Sequence, residues 1–227
     1  MTGAERAATG PVPLTTAQRG IWTGARLADP ARYHVGLYVE IAGPLEPSLF
    51  EAAFAAALAE TAPLRARFTV DGTGEPRQSD GPLPPWEVTR KDLRAEPSPA
   101  AAAAAWMRED VARPFDLAAG PPFRTALLRL ADARFRWYLA CHHLVIDGVG
   151  SALLVRRVGR LYAALERGER PAPAVHPLGA LAAAEHAYRA SPDAAADRAF
   201  WRDRLAGDVP VRPAATGGLA ARGVARL

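Results

Sequence analysis

The chain has 227 residues, 49% of them hydrophobic, enough to bury a core without a disulfide or metal staple, and its length admits one large domain or two small ones. Its 28 basic residues, all arginine except Lys91, exceed 24 acidic ones for a net charge of +4. They are scattered among acids with no basic tract interleaved with aromatics, which excludes an extended nucleic-acid surface and leaves at most a mildly basic face for an acidic partner protein. One cysteine, Cys141, excludes an internal disulfide and a cysteine zinc site and suits a reducing cytoplasm, the expected location. The opening "MTGAERAATGPVPL" lacks the apolar segment of a signal peptide, and no uncharged apolar run reaches the roughly 18 residues a membrane span needs.

In chain order, "LTTAQRGIWTGARL" (14–27) reads as a short helix capped by Thr15 or Thr16, with Ala17, Ile21 and Trp22 on one side. "YHVGLYVEIAG" (33–43) alternates Val35, Leu37, Val39 and Ile41 against polar or small residues, the pattern of a strand with one buried face. "EPSLFEAAFAAALAETA" (46–62) predicts an amphipathic helix with Leu49, Phe50, Phe54 and Leu58 inward. "LRARFTV" (64–70) reads as a strand, "DGTGEP" (71–76) as a turn and "PRQS" as the returning partner. A proline-rich connection (80–86) leads to a short strand (87–93), then to a helix over 98–115 begun by Ser98-Pro99 and stopped at Pro114. Residues 123–143 read as a hairpin turning at Ala131–Ala133. Helices follow at 150–169, with Leu153, Leu154, Val158, Leu161 and Leu165 on the core face, and near 178–190 and 193–206. Beyond Gly207 the pattern is lost. Interspersed helices and strands, joined by hairpins and crossovers, predict an α/β sandwich: a mixed sheet with helices on one side.

The chemistry concentrates in "CHHLVIDGVG" (141–150). Along the strand, Phe135, Trp137, Leu139 and Cys141 share one parity and Arg136, Tyr138, Ala140 and His142 the other, so His142 and His143 point opposite ways and should not share a role. A histidine in an apolar setting at a strand end is held neutral by desolvation and is able to accept a proton. Asp147, read as buried, requires a cation or several N–H donors, and Arg65 or Arg67 of "LRARF" is expected to supply the cation. Gly148 suits a turn with positive φ. A purely structural reading stands beside this one, in which His142, His143 and Asp147 only satisfy one another and the turn. Ser151 is not in a G-x-S-x-G elbow, Cys141 reads as a buried structural thiol, and the adjacent histidines have no metal-binding spacing. His34, His176 and His186 read as surface or linker histidines.

"HHLVIDG" (142–148) resembles the H-H-x-x-x-D-G signature of condensation domains of nonribosomal peptide synthetases, within the wider chloramphenicol-acetyltransferase-like superfamily. "LTTAQRGIW" (14–22) is similar to the family's opening motif. "LRARF" (64–68) resembles its next motif, with Thr61-Ala62-Pro63 in place of the usual preceding His-Glu. "ARPFDLAAGPPFRTALLRL" (112–130) resembles its Pro-Phe-Asp-Leu stretch, and "AFWRDRLAG" (199–207) the tryptophan helix leading out of the first lobe. The resemblance implies a single lobe of a two-lobed domain, with residues 1–190 forming the N-terminal condensation lobe and 191–227 the exit helix and the start of a connection to a second, C-terminal lobe.

It also implies that His143 lies at the lobe interface, in a tunnel entered by two phosphopantetheine arms. These belong to a donor carrier protein bearing an acyl or aminoacyl thioester and an acceptor carrier protein bearing an amine. No cofactor or metal is expected on this chain itself. By the resemblance His143 acts on the attacking amine as base or as orienter, while His142, Asp147, Gly148, Arg65 and Arg67 support the site. Two other classes remain open at this level: a non-catalytic, condensation-like docking module, and a stand-alone acyltransferase that trimerises, which size-exclusion chromatography distinguishes.

Overall fold

A computed structural model describes residues 10–27, 29–169, 171–173 and 178–207. His176 and the unpatterned tail lie outside the described residues. The elements are β1 (Val12–Pro13), α1 (Thr16–Leu27), a 3-10 turn (Pro30–Tyr33), β2 (His34–Ala42), α2 (Pro47–Glu60), α3 (Ala62–Arg65), β3 (Arg67–Val70), β4 (Pro76–Ser79), β5 (Val88–Asp92), α4 (Pro99–Ala112), β6 (Phe123–Ala131), β7 (Arg134–His142), α5 (Gly148–Glu166), α6 (Gly179–Arg189) and α7 (Pro192–Leu205). The larger sheet has strand order β2-β7-β6-β5, with β5 parallel to β6 and the other pairs antiparallel. A smaller sheet runs β1-β4-β3.

The α/β architecture is the expected one. The parity read along β7 is also observed: Phe135, Trp137, Leu139 and Cys141 join a core with Phe50, Phe54 and Leu58 of α2 and Leu154, Val158 and Leu161 of α5. The other face is not left open, however. Tyr138 and Ala140 pack with Ala126 and Leu128 of β6 against Ala103 and Met107 of α4, so helices cover both faces. Ala103, Ala126 and Ala140 among them let the alanine-rich helix lie close to the strands.

Two local expectations change. Leu64 and Arg65 are not strand residues, because Pro63, whose ring fixes φ at a helical value, opens the short helix α3 and the strand starts only at Arg67. Leu153 is 58% exposed. Helix α5 packs on α2 along Leu154, Val158 and Leu161, and Leu153 sits about 100° around the helix from that ridge.

Candidate active site

Strands β2 and β7 end side by side, with His34 opposite His142 in the register. There the chain leaves the ladder: His142 N–H donates to Pro122 O (3.0 Å) and His143 N–H to Tyr33 O (2.7 Å). Tyr33 can sit there because α1 carries Gly24 beneath its ring, where a Cβ would overlap the Tyr33 hydroxyl. Val145 N–H then donates to His142 O (3.1 Å), closing the turn. Apolar Leu144, Val145 and Ile146 are driven into the core, which tethers the turn from beneath.

The two histidines do part company. His142 is 2% exposed, and its Nδ1 accepts the Leu144 N–H at 3.2 Å. An amide can only donate, so Nδ1 is unprotonated and the neutral ring carries its hydrogen on Nε2. Burial, with His34 and His143 nearby, pushes its pKa down from 6.5 to about 4. The desolvation expected at this strand end therefore falls on His142, whereas His143 is exposed. Among the described residues, no hydrogen bond holds the His143 ring.

His34 is not a surface histidine. It is half-buried, with Nδ1 2.7 Å from Val111 O and its ring edge-on to Phe115 and to His142, and burial lowers its pKa. Its Nδ1 must donate to that carbonyl, which leaves Nε2 a buried acceptor with no partner among the described residues.

The expected pairing of Asp147 with Arg65 or Arg67 is not formed. Asp147 is exposed and caps α5, its Oδ1 accepting Gly150 N–H at 2.6 Å while its carbonyl accepts the Ser151 hydroxyl at 2.7 Å. Water and a helix N-terminus, not a guanidinium, offset its charge. Arg65 turns elsewhere, to Asp80 (2.9 Å) and to the carbonyls of Leu58 (2.8 Å) and Ala59 (2.9 Å), where it satisfies the C-terminal end of α2. Arg67 lies in β3 with a buried Nε that has no partner among the described residues. Gly148 opens α5 without positive φ, and a Cβ there would meet open space. The tight position is Gly150, where a Cβ would lie 3.2 Å from Asp147 Oδ1 and 3.3 Å from Ile146. Cys141 is buried and its thiol is pushed up by desolvation, so it is an inert side chain as expected.

Of two further residues at the site, Gln18 was noted only as a member of the opening motif "LTTAQRGIW", and Gln78 was not singled out by sequence. Gln18 Nε2 donates to Leu144 O at 3.0 Å, and Gln78 pairs with Gln18. The visible signal was the T-x-x-Q spacing of Thr15 and Gln18, a capping box at the start of α1. Among the described residues, no group of three His, Cys, Asp or Glu is placed to hold a metal, and no helix is long and apolar enough to cross a membrane.

A layered α/β unit presenting an exposed histidine on a fixed turn at a strand end is the class of fold and site seen here. The family model for the Condensation domain matches residues 8–216, and the chain belongs to that family. It is 44% identical over 215 residues to an isonitrile lipopeptide synthase of Streptomyces coeruleorubidus, covering 92% of this chain and 14% of that protein. It is 38% identical over 199 residues to a dimodular nonribosomal peptide synthase of Bacillus subtilis (strain 168), covering 87% and 8%. Among solved structures it is similar to the starter condensation domain of rhizomide synthetase RzmA, with a TM-score of 0.80, 36% identity, and coverage of 89% of this chain and 49% of that one. The first condensation domain of the CDA synthetase gives a TM-score of 0.79 and 32% identity, with coverage of 88% and 51%. The chain thus spans about half the length of these solved chains, as a single lobe would, and a small part of the curated relatives.

Proposed function

We propose that this chain forms the N-terminal half of a site that joins a thioester-bound acyl group to an amine. In the reaction the amine nitrogen attacks the thioester carbonyl, a C–N bond forms, the C–S bond breaks, and the amine proton passes by way of His143 to the departing thiolate. The observation that carries this reading is the exposed His143 ring on a turn whose backbone is held by Tyr33, Pro122 and the buried His142. The larger part of the rate enhancement comes from holding acyl donor and amine at attack distance, worth up to about 7–11 kcal/mol. A general base adds about 10²–10⁴-fold.

His142 is structural in this reading, its lone pair occupied by Leu144 N–H. Asp147 and Gly150 set the angle at which α5 leaves the turn. Residues 1–190 form the lobe proper, and 191–227 lead to the second half. In support of a connection onward, α7 buries only Ala194 and exposes Phe200, Trp201 and Leu205. The proposed partners are a donor and an acceptor carrier protein, each delivering its substrate on a phosphopantetheine arm in the cytoplasm. A variant of the RzmA starter condensation domain has been solved with C8-CoA and Leu-SNAC, an acyl thioester and an aminoacyl thioester, which supports this pairing of substrate classes.

The test uses the chain supplemented with the C-terminal half of a condensation domain, with C8-CoA and Leu-SNAC as substrates and amide formation followed by mass spectrometry. His143→Ala is expected to lower amide formation by at least about 10²-fold with Tm unchanged, since its ring is exposed. Undiminished turnover in that variant would overturn the assignment. Carrier-protein binding by a wild-type chain that forms no amide would instead mark a docking module.

A further inference from the structure

The His143 ring is held by no side chain of the described residues, so its placement depends on the backbone of the turn that carries it. Four of the groups that fix this turn are backbone carbonyls or a ring close by: Pro122 O, Tyr33 O, His142 O and His142 Nδ1. A fifth comes from the side chain of a distant helix. Gln18 Nε2, 126 positions away in sequence, donates to Leu144 O at 3.0 Å. Leu144 is the residue after His143, so the peptide groups on both sides of Leu144 are pinned, one through its N–H to His142 and one through its C=O to Gln18.

The amide of Gln18 has no freedom to turn over. Its two hydrogens go to Leu144 O and to Gln78 Oε1 (3.0 Å), and its oxygen accepts from Gln78 Nε2 (3.0 Å) and from Thr15 N–H (3.0 Å). Gln78 is 2% exposed and spends its remaining hydrogen on Pro13 O at 3.1 Å. A flipped Gln18 would set its oxygen against two acceptors, and a flipped Gln78 would do the same at Pro13. Gln78 is itself fixed in the middle strand of the small sheet, opposite Val12 on one side and Phe68 on the other. A satisfied network of this kind, anchored on buried Gln78 with Gln18 half-buried, favours one geometry.

We propose that Gln18 is a positioning residue for the His143 site, acting through the Leu144 carbonyl and locked in its donor orientation by Gln78. The small sheet β1-β4-β3 would then be the anchor from which the catalytic turn is aimed, not only a lid on the core. This inference rests on the amide-forming reading for its kinetic consequence and on geometry alone for its structural one.

The test compares Gln18→Met, which keeps the length of the side chain and removes both donors, with Thr15→Ala, which loosens the same helix start by removing its hydroxyl cap but leaves the Leu144 contact in place. With C8-CoA, Leu-SNAC and the complementing half, Gln18→Met is expected to lower kcat by about 10²-fold while leaving KM for both substrates within about twofold. Thr15→Ala is expected to lower Tm with kcat unchanged. In the 227-residue chain alone, the NMR signal of the His143 ring, assigned by its loss in His143→Asn, should shift or broaden in Gln18→Met and not in Thr15→Ala. Equal kcat in the two variants together with an undisturbed His143 signal overturns the proposal. If wild-type protein makes no amide, the functional reading falls and the NMR comparison alone decides the clamp.

Discussion

On the face of the larger sheet that α2 and α5 cover, Trp137 meets Phe50 and Phe54 edge-on, and Phe54 meets Phe123 edge-on, at 5.3–5.8 Å, and a polar thread runs from Trp137 Nε1–H to Thr125 Oγ1, whose own hydrogen goes to Tyr138 O. On the face under α4, Tyr138, Leu128 and Met107 are buried beside small alanines, Trp106 meets Tyr138 edge-on, and the perimeter is polar. Asp110, 4% exposed, accepts from Arg124 and from the Tyr138 hydroxyl, Arg136 pairs with Glu40, and His34 donates to Val111 O. The first face gains chiefly from area removed from water. The second adds to its buried area a set of hydrogen bonds, each of which fixes a direction. The site histidines follow this division: His142 belongs by parity to the polar face, while the turn that carries His143 is tethered through Leu144, Val145 and Ile146 to the apolar one.

The contrast is broken most severely at Phe54, which is fully buried and touches Trp86, Phe123 and Trp137. Phe54→Ala is expected to cost about 3–5 kcal/mol in urea unfolding, enough to unfold a marginal domain. Asp110→Ala on the other face should cost about 3 kcal/mol, because it removes the carboxylate that balances the Arg124 charge and leaves Arg124 only backbone carbonyls and the Tyr138 hydroxyl only the Met107 carbonyl. Its signature differs: the Tyr138 pKa, held high by burial and by the Asp110 charge, should fall, as a spectrophotometric titration would show.

A third test uses pH. His142 titrates at about 4 when folded and near 6.5 when unfolded. The unfolded chain therefore binds the extra proton first, so this contribution is fully present above pH 6.5 and is lost as pH falls toward 4. The loss is about 3 kcal/mol in that window, and His142→Gln, which keeps an acceptor for Leu144 N–H, should flatten it. The smallest effect is expected at the helix cap: Asp147→Ala should cost about 1 kcal/mol in thermal unfolding, and not the larger penalty of a buried ion pair.

Much of this was legible in the sequence where a short-range rule governs. The alternation along β7 assigned Trp137 and Tyr138 to opposite faces, and Ser98-Pro99 and Pro114 bounded α4 nearly where it lies. The same alternation separated the two histidines, of which His142 is buried and His143 exposed. What could not be read depends on partners remote in the chain. Asp80, not Asp147, meets Arg65 because the β3–β4 hairpin brings it back beside α3. His34 is enclosed because the end of α4 offers the Val111 carbonyl. Gln18 and Gln78 lie 60 positions apart on elements whose sequence patterns each look complete without the other.

The buried thiol one residue before the motif has a practical use. As the chain's sole cysteine, it stays shielded from maleimide or Ellman's reagent until β7 detaches from its neighbours, so its rate of labelling would clock global opening. A second cysteine placed on the exposed helix surface could then carry a fluorophore for distance measurements without first deleting the native one.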